Sequence, residues 1–114
     1  MNASAPHKAL KISSWNINGI TSKYLGNKLY DTDFLNELEG SEIVGITETH
    51  VHKGIQDILA IPGYIRVAYK YKPLKTKMNK GYGGLAVFVK ENLIRHIVPQ
   101  QNTNDDSIWI KIKK

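Results

Sequence analysis

The sequence predicts a single layered domain of the α/β (α+β) class, with at least five strands and one clear helix. Residues 10–15 alternate two sets of side chains in the manner of a strand. Residues 43–46 (IVGI) form a compact apolar run that is typical of a strand buried on both faces. Between them, residues 31–39 carry apolar side chains at helical spacing. A length of 114 residues leaves room for one domain at most.

The first half of the chain also carries boundary signals for these elements. The strand over residues 10–15 is followed by the turn-forming sequence NING at residues 16–19. Asp31 is a suitable N-cap, and Gly40 stands where a helix C-terminal glycine belongs, so we expect the helix to cover residues 31–39.

The second half is predicted to consist of strands joined by connections. The strands cover residues 64–69, 85–90, 95–98 and 107–113. Pro62-Gly63 supplies the turn before the first of them, and Gly83-Gly84 leads into the second. Three isoleucines are expected to share one face of the last strand, namely Ile108, Ile110 and Ile112.

Composition excludes several classes of protein. The chain is 41% hydrophobic and 23% charged, which is usual for a folded globular domain and argues against wholesale disorder. It contains no cysteine, so disulfides and thiolate metal sites are excluded, and a reducing compartment, the nucleus or cytoplasm, is expected. No apolar run approaches the roughly 18 residues that a membrane span needs. Residues 1–8 are short and polar, so we expect a flexible N-terminus rather than a secretion signal.

The net charge of +6 is unevenly distributed. No acidic residue lies between Asp57 and Glu91, whereas lysines and tyrosines alternate there. Such a segment suits contact with a phosphate backbone, and we expect DNA to be the partner. The candidate contacts lie in the predicted connection over residues 70–80 and are Lys70, Lys72, Lys75, Lys77 and Lys80. The alternative is a solvated lysine-rich loop that binds nothing.

Two residues whose side chains could bind a metal ion or take part in catalysis follow predicted strands. Asn16 and Glu48 each stand at the carboxyl end of a strand, where the loops of layered α/β sheets gather to form sites. If the two strands are neighbours, an amide and a carboxylate converge, as suits a hard cation such as Mg²⁺. The alternative for Glu48 is a solvent-exposed glutamate at a strand end.

Two further patterns have competing interpretations. Glu48, His50 and His52 alternate, so an extended backbone would place a carboxylate and two imidazoles on one face, where they suit zinc. Surface histidines are the alternative. Gly83-Gly84 either cradles phosphate or permits a close backbone approach, and the second is favoured because the pair precedes a strand rather than a helix.

Three segments, taken in order, resemble the endonuclease/exonuclease/phosphatase (DNase I-like) family. They are residues 10–19 (LKISSWNING), residues 43–50 (IVGITETH) and residues 83–89 (GGLAVFV). Gly63-Tyr64 matches the family turn between the second and third segments. The likeness is strongest to the endonuclease domains of non-LTR retrotransposons, in which an Asn-Gly loop and a Glu-Thr-His or Glu-Thr-Trp triplet are common. The apurinic-site endonucleases look like more distant relatives.

The resemblance implies the N-terminal half of a two-sheet, four-layer α/β sandwich, with residues 9–114 forming a partial domain truncated at its C-terminal end. It implies Mg²⁺-dependent cleavage of DNA phosphodiesters, with Mn²⁺ as the alternative metal. Asn16 would contact the scissile phosphate and help order the metal site, and Glu48 would bind the metal. A retroelement origin implies a parent protein that carries a reverse transcriptase downstream.

The sequence departs from the family pattern in its second half. The family also uses a later tyrosine, an Asp-x-Asn pair and a Ser-Asp-His group, and none occurs here. We therefore expect a fragment that is inactive alone and that self-associates through an exposed sheet edge. Whether this chain is itself an enzyme stays open at this point. The alternatives are a non-catalytic nucleic-acid-binding or interaction remnant, and a phosphoinositide or sphingomyelin phosphodiesterase of the same fold.

Overall fold

The computed structural model describes residues 10–22, 26–51, 56–70, 83–98, 100 and 107–113. The strands in these residues are β1 (Ile12–Asn16), β2 (Thr21–Ser22), β3 (Gly26–Asn27), β4 (Ile43–Thr47), β5 (Tyr64–Lys70), β6 (Leu85–Lys90), β7 (Ile97–Val98) and β8 (Lys111–Ile112). Helix α1 (Thr32–Glu37) lies between β3 and β4, and 3₁₀ helices cover Lys28–Tyr30, Gln56–Ile58 and Glu91–His96. None of the helices in this part of the chain is long and apolar enough to cross a lipid bilayer.

A four-stranded mixed sheet, in the order β1-β4-β6-β5, forms the centre of the described fold. β4 lies inside it, parallel to β1 and antiparallel to β6. The apolar sequence of β4 fits this place, because the side chains of Ile43, Val44 and Ile46 are buried on the two faces of the sheet. β5 is the outer strand beyond β6, and its pairing is irregular between Arg66 and Ala68. Two short antiparallel pairs, β2-β3 and β7-β8, accompany the sheet.

The main hydrophobic core covers one face of this sheet. Val44 and Ile46 of β4 lie beside Ala86 and Phe88 of β6, and all four side chains are buried. Leu38, which follows α1, is buried in the same core. Burying a large apolar side chain contributes about 1.5–3 kcal/mol to stability. The core therefore fixes the position of β4, and with it the residues that follow this strand.

On the opposite face, four apolar side chains form one row across the sheet. The pairing register makes Ile12, Ile43, Val89 and Ile65 neighbours in that order. The two inner side chains are buried, whereas Ile12 and Ile65 on the outer strands are 63% and 38% exposed. The row therefore presents apolar surface at both edges of the sheet.

Most strand boundaries agree with the sequence prediction. β6 covers the predicted residues 85–90, and β4 and β5 extend the predicted residues 43–46 and 64–69 by one residue each. β1 begins later than predicted and includes Asn16 as its last residue. Lys70, predicted to begin the connecting loop, is instead the last residue of β5 because it still pairs with β6.

The predicted helix over residues 31–39 is present but shorter, since α1 covers Thr32–Glu37. The carboxylate of Asp31 caps it by accepting the N–H of Phe34 at 3.1 Å. Gly40 takes a left-handed φ of 86°, a conformation common just past a helix end. The predicted N-cap is therefore confirmed, whereas the helix ends earlier than the glycine signal indicated, because its C-cap is Leu38.

The prediction for the last pair of strands is wrong, because both strands are shorter than expected. Residues 91–96 form a 3₁₀ helix directly after β6, so that only Ile97–Val98 remains to pair with Lys111–Ile112. Residues 107–110 precede β8 without regular structure. The three isoleucines therefore do not form one strand face, because two of them lie outside any strand. The β2-β3 pair was not predicted, since strands of two residues are too short to show an alternation.

Candidate active site

The parallel pairing of β1 and β4 brings Asn16 and Glu48 to the same edge of the sheet. Asn16 ends β1 beside Thr47, the last residue of β4. The N–H of Ile17 then donates to the carbonyl of Thr47 at 3.1 Å, and the N–H of Gly19 donates to the carbonyl of Glu48 at 2.7 Å. The backbone after β1 therefore lies along the backbone after β4, so that Asn16 and Glu48 stand at the same edge of the sheet.

The loop after β1 is shaped by two asparagines. Oδ1 of Asn16 accepts the N–H of Asn18 at 3.1 Å, and Asn18 has a left-handed φ of 48°. Asparagine suits both places, because its short amide bonds to the backbone two residues on and tolerates this conformation. Because Oδ1 already accepts this bond, the amide nitrogen Nδ2 is the group through which Asn16 can donate a hydrogen bond. Among the described residues Nδ2 has no partner.

Lys28 reaches this loop from the 3₁₀ helix that follows β3. Its Nζ donates to the carbonyl of Ile17 at 2.8 Å and to that of Asn18 at 3.3 Å. The β2-β3 hairpin returns the chain to this position. Sequence reasoning missed Lys28, because a contact made through two-residue strands leaves no periodic pattern.

Glu48 is held by two donors on one of its carboxylate oxygens. Oε2 accepts the N–H of Gly83 at 3.0 Å and lies 3.0 Å from Nε2 of His50. The Gly83 N–H, followed by the His50 bond, holds the pKa of the Glu48 carboxyl below its ordinary value, so the group is ionised at neutral pH. The side chain is 39% exposed, and among the described residues no group bonds to Oε1.

Gly83 and Gly84 fit closely against the residues that follow β4. The N–H groups of Thr49 and His50 donate to the carbonyls of Gly84 and Gly83 at 3.2 and 2.8 Å. A Cβ on Gly84 would overlap Oγ1 of Thr49. The predicted close backbone approach is confirmed. The phosphate-cradling alternative is not supported at Gly83, because its N–H is engaged by Glu48.

The sequence of the chain matches a known family of proteins. The model of the Endonuclease/Exonuclease/phosphatase family matches residues 13–113. The chain belongs to this family. Its fold is therefore of the nuclease and phosphodiesterase type, as the resemblance implied.

A solved structure agrees with this assignment. The catalytic domain of APE2 from Xenopus laevis superposes with a TM-score of 0.52 and 26% sequence identity, over 80% of this chain and 25% of that chain. The described α/β architecture is thus DNase I-like, as predicted. The chain spans only a quarter of the length of the structure it matches. No curated protein matches the chain significantly.

Endonuclease/exonuclease/phosphatase proteins generally depend on a divalent metal, and the donors at this edge fit such an ion. Among the described residues no group bonds to Oε1 of Glu48, and a carboxylate oxygen is a hard ligand of the kind that Mg²⁺ and Mn²⁺ take. In the described part of the chain, no three acidic, histidine or cysteine side chains form a metal cluster. An ion held by Glu48 would therefore take most of its other ligands from water or substrate, because Oδ1 of Asn16 already accepts the N–H of Asn18.

The zinc hypothesis required an extended backbone at Glu48 and His50, and that assumption is wrong. Both residues have left-handed φ angles, 55° and 57°. Their side chains meet through the bond between Oε2 and Nε2 rather than by lying along one strand face. His52 lies outside the described residues.

Of the five lysines proposed as nucleic-acid contacts, the structure describes one. Lys70 ends β5 in the same cross-strand row as Leu85, Thr47 and Asn16. Three strand spacings separate Lys70 from Asn16, or about 14 Å. The other four lie outside the described residues and are Lys72, Lys75, Lys77 and Lys80. The chain therefore enters the lysine-rich segment from the edge that carries Asn16 and Glu48.

Proposed function

We propose that this chain supplies the Asn16 and Glu48 part of a Mg²⁺-dependent endonuclease site that cleaves DNA phosphodiesters, and that it derives from a retroelement. The observation that carries the proposal is the anchored carboxylate of Glu48 beside the loop of Asn16. The family membership of residues 13–113 supports the same class of reaction. We place the protein in the nucleus or cytoplasm.

Each residue has a role that follows from its contacts. Glu48 offers Oε1 as an ionised ligand, because its other oxygen is occupied by Gly83 and His50. Asn16 offers the N–H groups of Nδ2 to a phosphate oxygen, because its Oδ1 is engaged by Asn18. When bound, Mg²⁺ would neutralise negative charge on the phosphate during attack by water. Lys28 keeps the asparagine loop in place.

We also propose that this chain does not cleave DNA by itself. Beyond Glu48 its carboxylates are Asp57, Glu91, Asp105 and Asp106. None of them stands in an Asp-x-Asn or Ser-Asp-His sequence. Glu91 follows β6 at the edge of the sheet opposite to Glu48, because β6 runs antiparallel to β4. In the described part of the chain no second carboxylate lies beside Glu48 to activate water as a base, so we expect hydrolysis to lack one of its main contributions.

Two measurements on the 114-residue chain test this proposal. Calorimetric titration with Mg²⁺ should give a weak heat in the millimolar range that Glu48→Gln abolishes. Glu91→Gln is the matched control, and it removes the same charge at the opposite edge. A heat that Glu48→Gln leaves unchanged would place the metal elsewhere. Tight zinc binding that depends on His50 and His52 would instead support the zinc site.

The second measurement is nicking of supercoiled plasmid in Mg²⁺. No nicking above background is expected. Cleavage that disappears with Glu48→Gln would contradict the inactivity while supporting the site. Cleavage that survives this change would contradict the site itself.

A second candidate function is a nucleic-acid-binding module without catalysis. The net charge of +6 favours it, as does the lack of a second carboxylate near Glu48 among the described residues. DNA binding that does not change with Mg²⁺ or with Glu48→Gln would favour this candidate. Stronger binding to phosphoinositide or sphingomyelin vesicles than to DNA would favour the lipid-directed alternative.

A further inference from the structure

We infer that His50 is a positioning residue, which with the Gly83 amide fixes Oε2 of Glu48 and so presents Oε1 as a single metal-binding oxygen. The inference rests on the proposed function, in which Glu48 is the metal ligand. It adds a role for the imidazole, and it predicts that Glu48 would hold a metal ion through one oxygen.

The direction of the hydrogen bond follows from the carboxylate. An ionised carboxylate only accepts, so Nε2 of His50 carries the hydrogen and donates across the 3.0 Å to Oε2. The N–H of Gly83, two residues before β6, reaches the same oxygen at 3.0 Å. Two donors on one oxygen prevent the carboxylate from rotating freely. Bidentate binding would require the carboxylate to break one of these bonds.

The imidazole also contacts the asparagine loop. A Cβ built on Gly19 would lie 3.1 Å from Nδ1 of His50, so the ring packs directly against the backbone of Gly19. Gly19 has a left-handed φ of 93°, and its N–H donates to the Glu48 carbonyl. One ring thus contacts both segments that carry site residues. A change at His50 is expected to alter the position of the carboxylate relative to Asn16.

Two substitutions at His50 separate positioning from a merely structural role. Asparagine suits the left-handed backbone at this residue but is too short to reach Oε2. Glutamine fits that backbone less well but carries an amide N–H at a reach closer to that of Nε2. If His50 had only a structural role, His50→Gln would bind Mn²⁺ more weakly than His50→Asn, because glutamine fits the left-handed backbone less well. If His50 positions Glu48, His50→Asn would bind Mn²⁺ more weakly, so the two explanations predict opposite orders of affinity.

The first readout is the affinity for Mn²⁺, measured by water-proton relaxation on the full chain. His50→Asn should weaken Mn²⁺ binding by about 10-fold or more, as losses of groups that orient metal ligands do. His50→Gln should retain most of the affinity. His96→Asn, a change in the 3₁₀ helix after β6, is the control and should have no effect. An equal loss in both His50 variants, or a greater loss in His50→Gln, would overturn the inference.

The second readout needs no metal. The Gly83 amide proton should resonate at low field in the metal-free chain, because it bonds to a fixed carboxylate. His50→Asn should shift this resonance, and His50→Gln should restore it. An unchanged Gly83 resonance in His50→Asn would overturn the inference whether or not the chain binds metal. Normal Gly83 shifts without any Mn²⁺ binding would instead contradict the proposed function and leave the positioning role intact.

Discussion

Gly84 lies so close to Thr49 that a methyl group added at residue 84 would overlap the Oγ1 atom of that threonine. The threonine is fully buried between Glu48 and His50 in the chain, and its Oγ1 accepts the N–H of Val51 at 3.3 Å. Neither partner therefore has room to move. The contact joins the start of β6 to the residues that follow β4.

Gly84→Ala should destabilise the fold by about 2–5 kcal/mol, because overlap adds to the strain of a left-handed alanine. Gly63→Ala is the matched control, since Gly63 has a similar φ of 85° and no atom near its built Cβ. It should cost only about 1–2 kcal/mol. Urea denaturation of both variants measures the difference. Equal losses would show that the contact with Thr49 is unimportant.

The stability of the chain should depend on pH through Glu48. Hydrogen bonds from Gly83 and His50 lower the pKa of this carboxyl below its ordinary value of 4.5. Its contribution to stability is therefore fully present above pH 4.5 and is lost as the pH falls through the lower folded pKa. Thermal melts from pH 7 to pH 3 should show a smaller decrease for Glu48→Gln than for the wild type. An equal decrease in the melting temperature of both proteins would mean that the ionised carboxylate does not stabilise the fold.

Tyr64 is expected to stabilise the end of the sheet opposite to Glu48. Its hydroxyl donates to the carbonyl of Ser41 at 2.6 Å and lies 3.3 Å from that of Leu38, and burial raises the pKa of this phenol. Tyr64→Phe should lower the free energy of unfolding by about 1–2 kcal/mol. Tyr30→Phe is the control, because this ring is exposed. Unfolding curves that coincide for the two variants would contradict the prediction.

The Tyr64 contribution also has a pH dependence, of the opposite sign to that of Glu48. Because the pKa of Tyr64 is raised in the folded chain, its contribution to stability is fully present below the ordinary pKa of 10.0. That contribution is lost as the pH rises through the pKa of the folded state. Tyr64→Phe should therefore reduce the loss of stability above pH 10.

DNA affinity should decrease steeply with salt, because neutralised phosphates release counterions. Replacing Lys72, Lys75 and Lys77 by glutamine should reduce the slope of log K against log [salt] by about 2–3, at about 0.9 per phosphate contact. Replacing Lys11 and Lys90, which flank β4 at its opposite end, should change the slope little. If replacing Lys72, Lys75 and Lys77 left the slope unchanged, the assignment of this segment as a DNA contact would be wrong.

The chain should self-associate through its outer strands. Ile12 and Ile65 expose apolar surface on β1 and β5, and exposed strand edges promote pairing between chains. Light scattering should show dimers or larger species, which Ile12→Lys combined with Ile65→Lys reduces. Tyr30→Lys is the control, since Tyr30 is exposed but lies outside the row. A monomer at all concentrations would contradict this prediction.

Sequence patterns predicted the elements that have strong local signals. The apolar run of β4, the glycines before β6 and the Asp31 cap each depend on neighbouring residues, and each is present. The C-terminal strand was overestimated, because alternation at residues 107–113 occurs without a partner strand long enough to pair with it. Local alternation alone does not specify pairing.

The site was predicted in outline and missed in detail for a physical reason. Asn16 and Glu48 were recognisable because one ends a strand and the other directly follows one. Gly83 and Lys28 act through a backbone N–H and a long flexible side chain, and both reach distant parts of the chain. Such contacts depend on tertiary packing, so no spacing in the sequence reveals them.

The position of β4 between β1 and β6 has a consequence for the order of folding. The bond from Gly83 to Glu48 spans 35 residues, and the contact between Thr47 and Trp15 spans 32. Non-local pairings of this kind form slowly, because long loops must close before the contacts can stabilise them. During synthesis, β4 gains its second neighbour only after Lys90 has left the ribosome. The anchored form of the Glu48 carboxylate should therefore be among the last features of the nascent chain to appear.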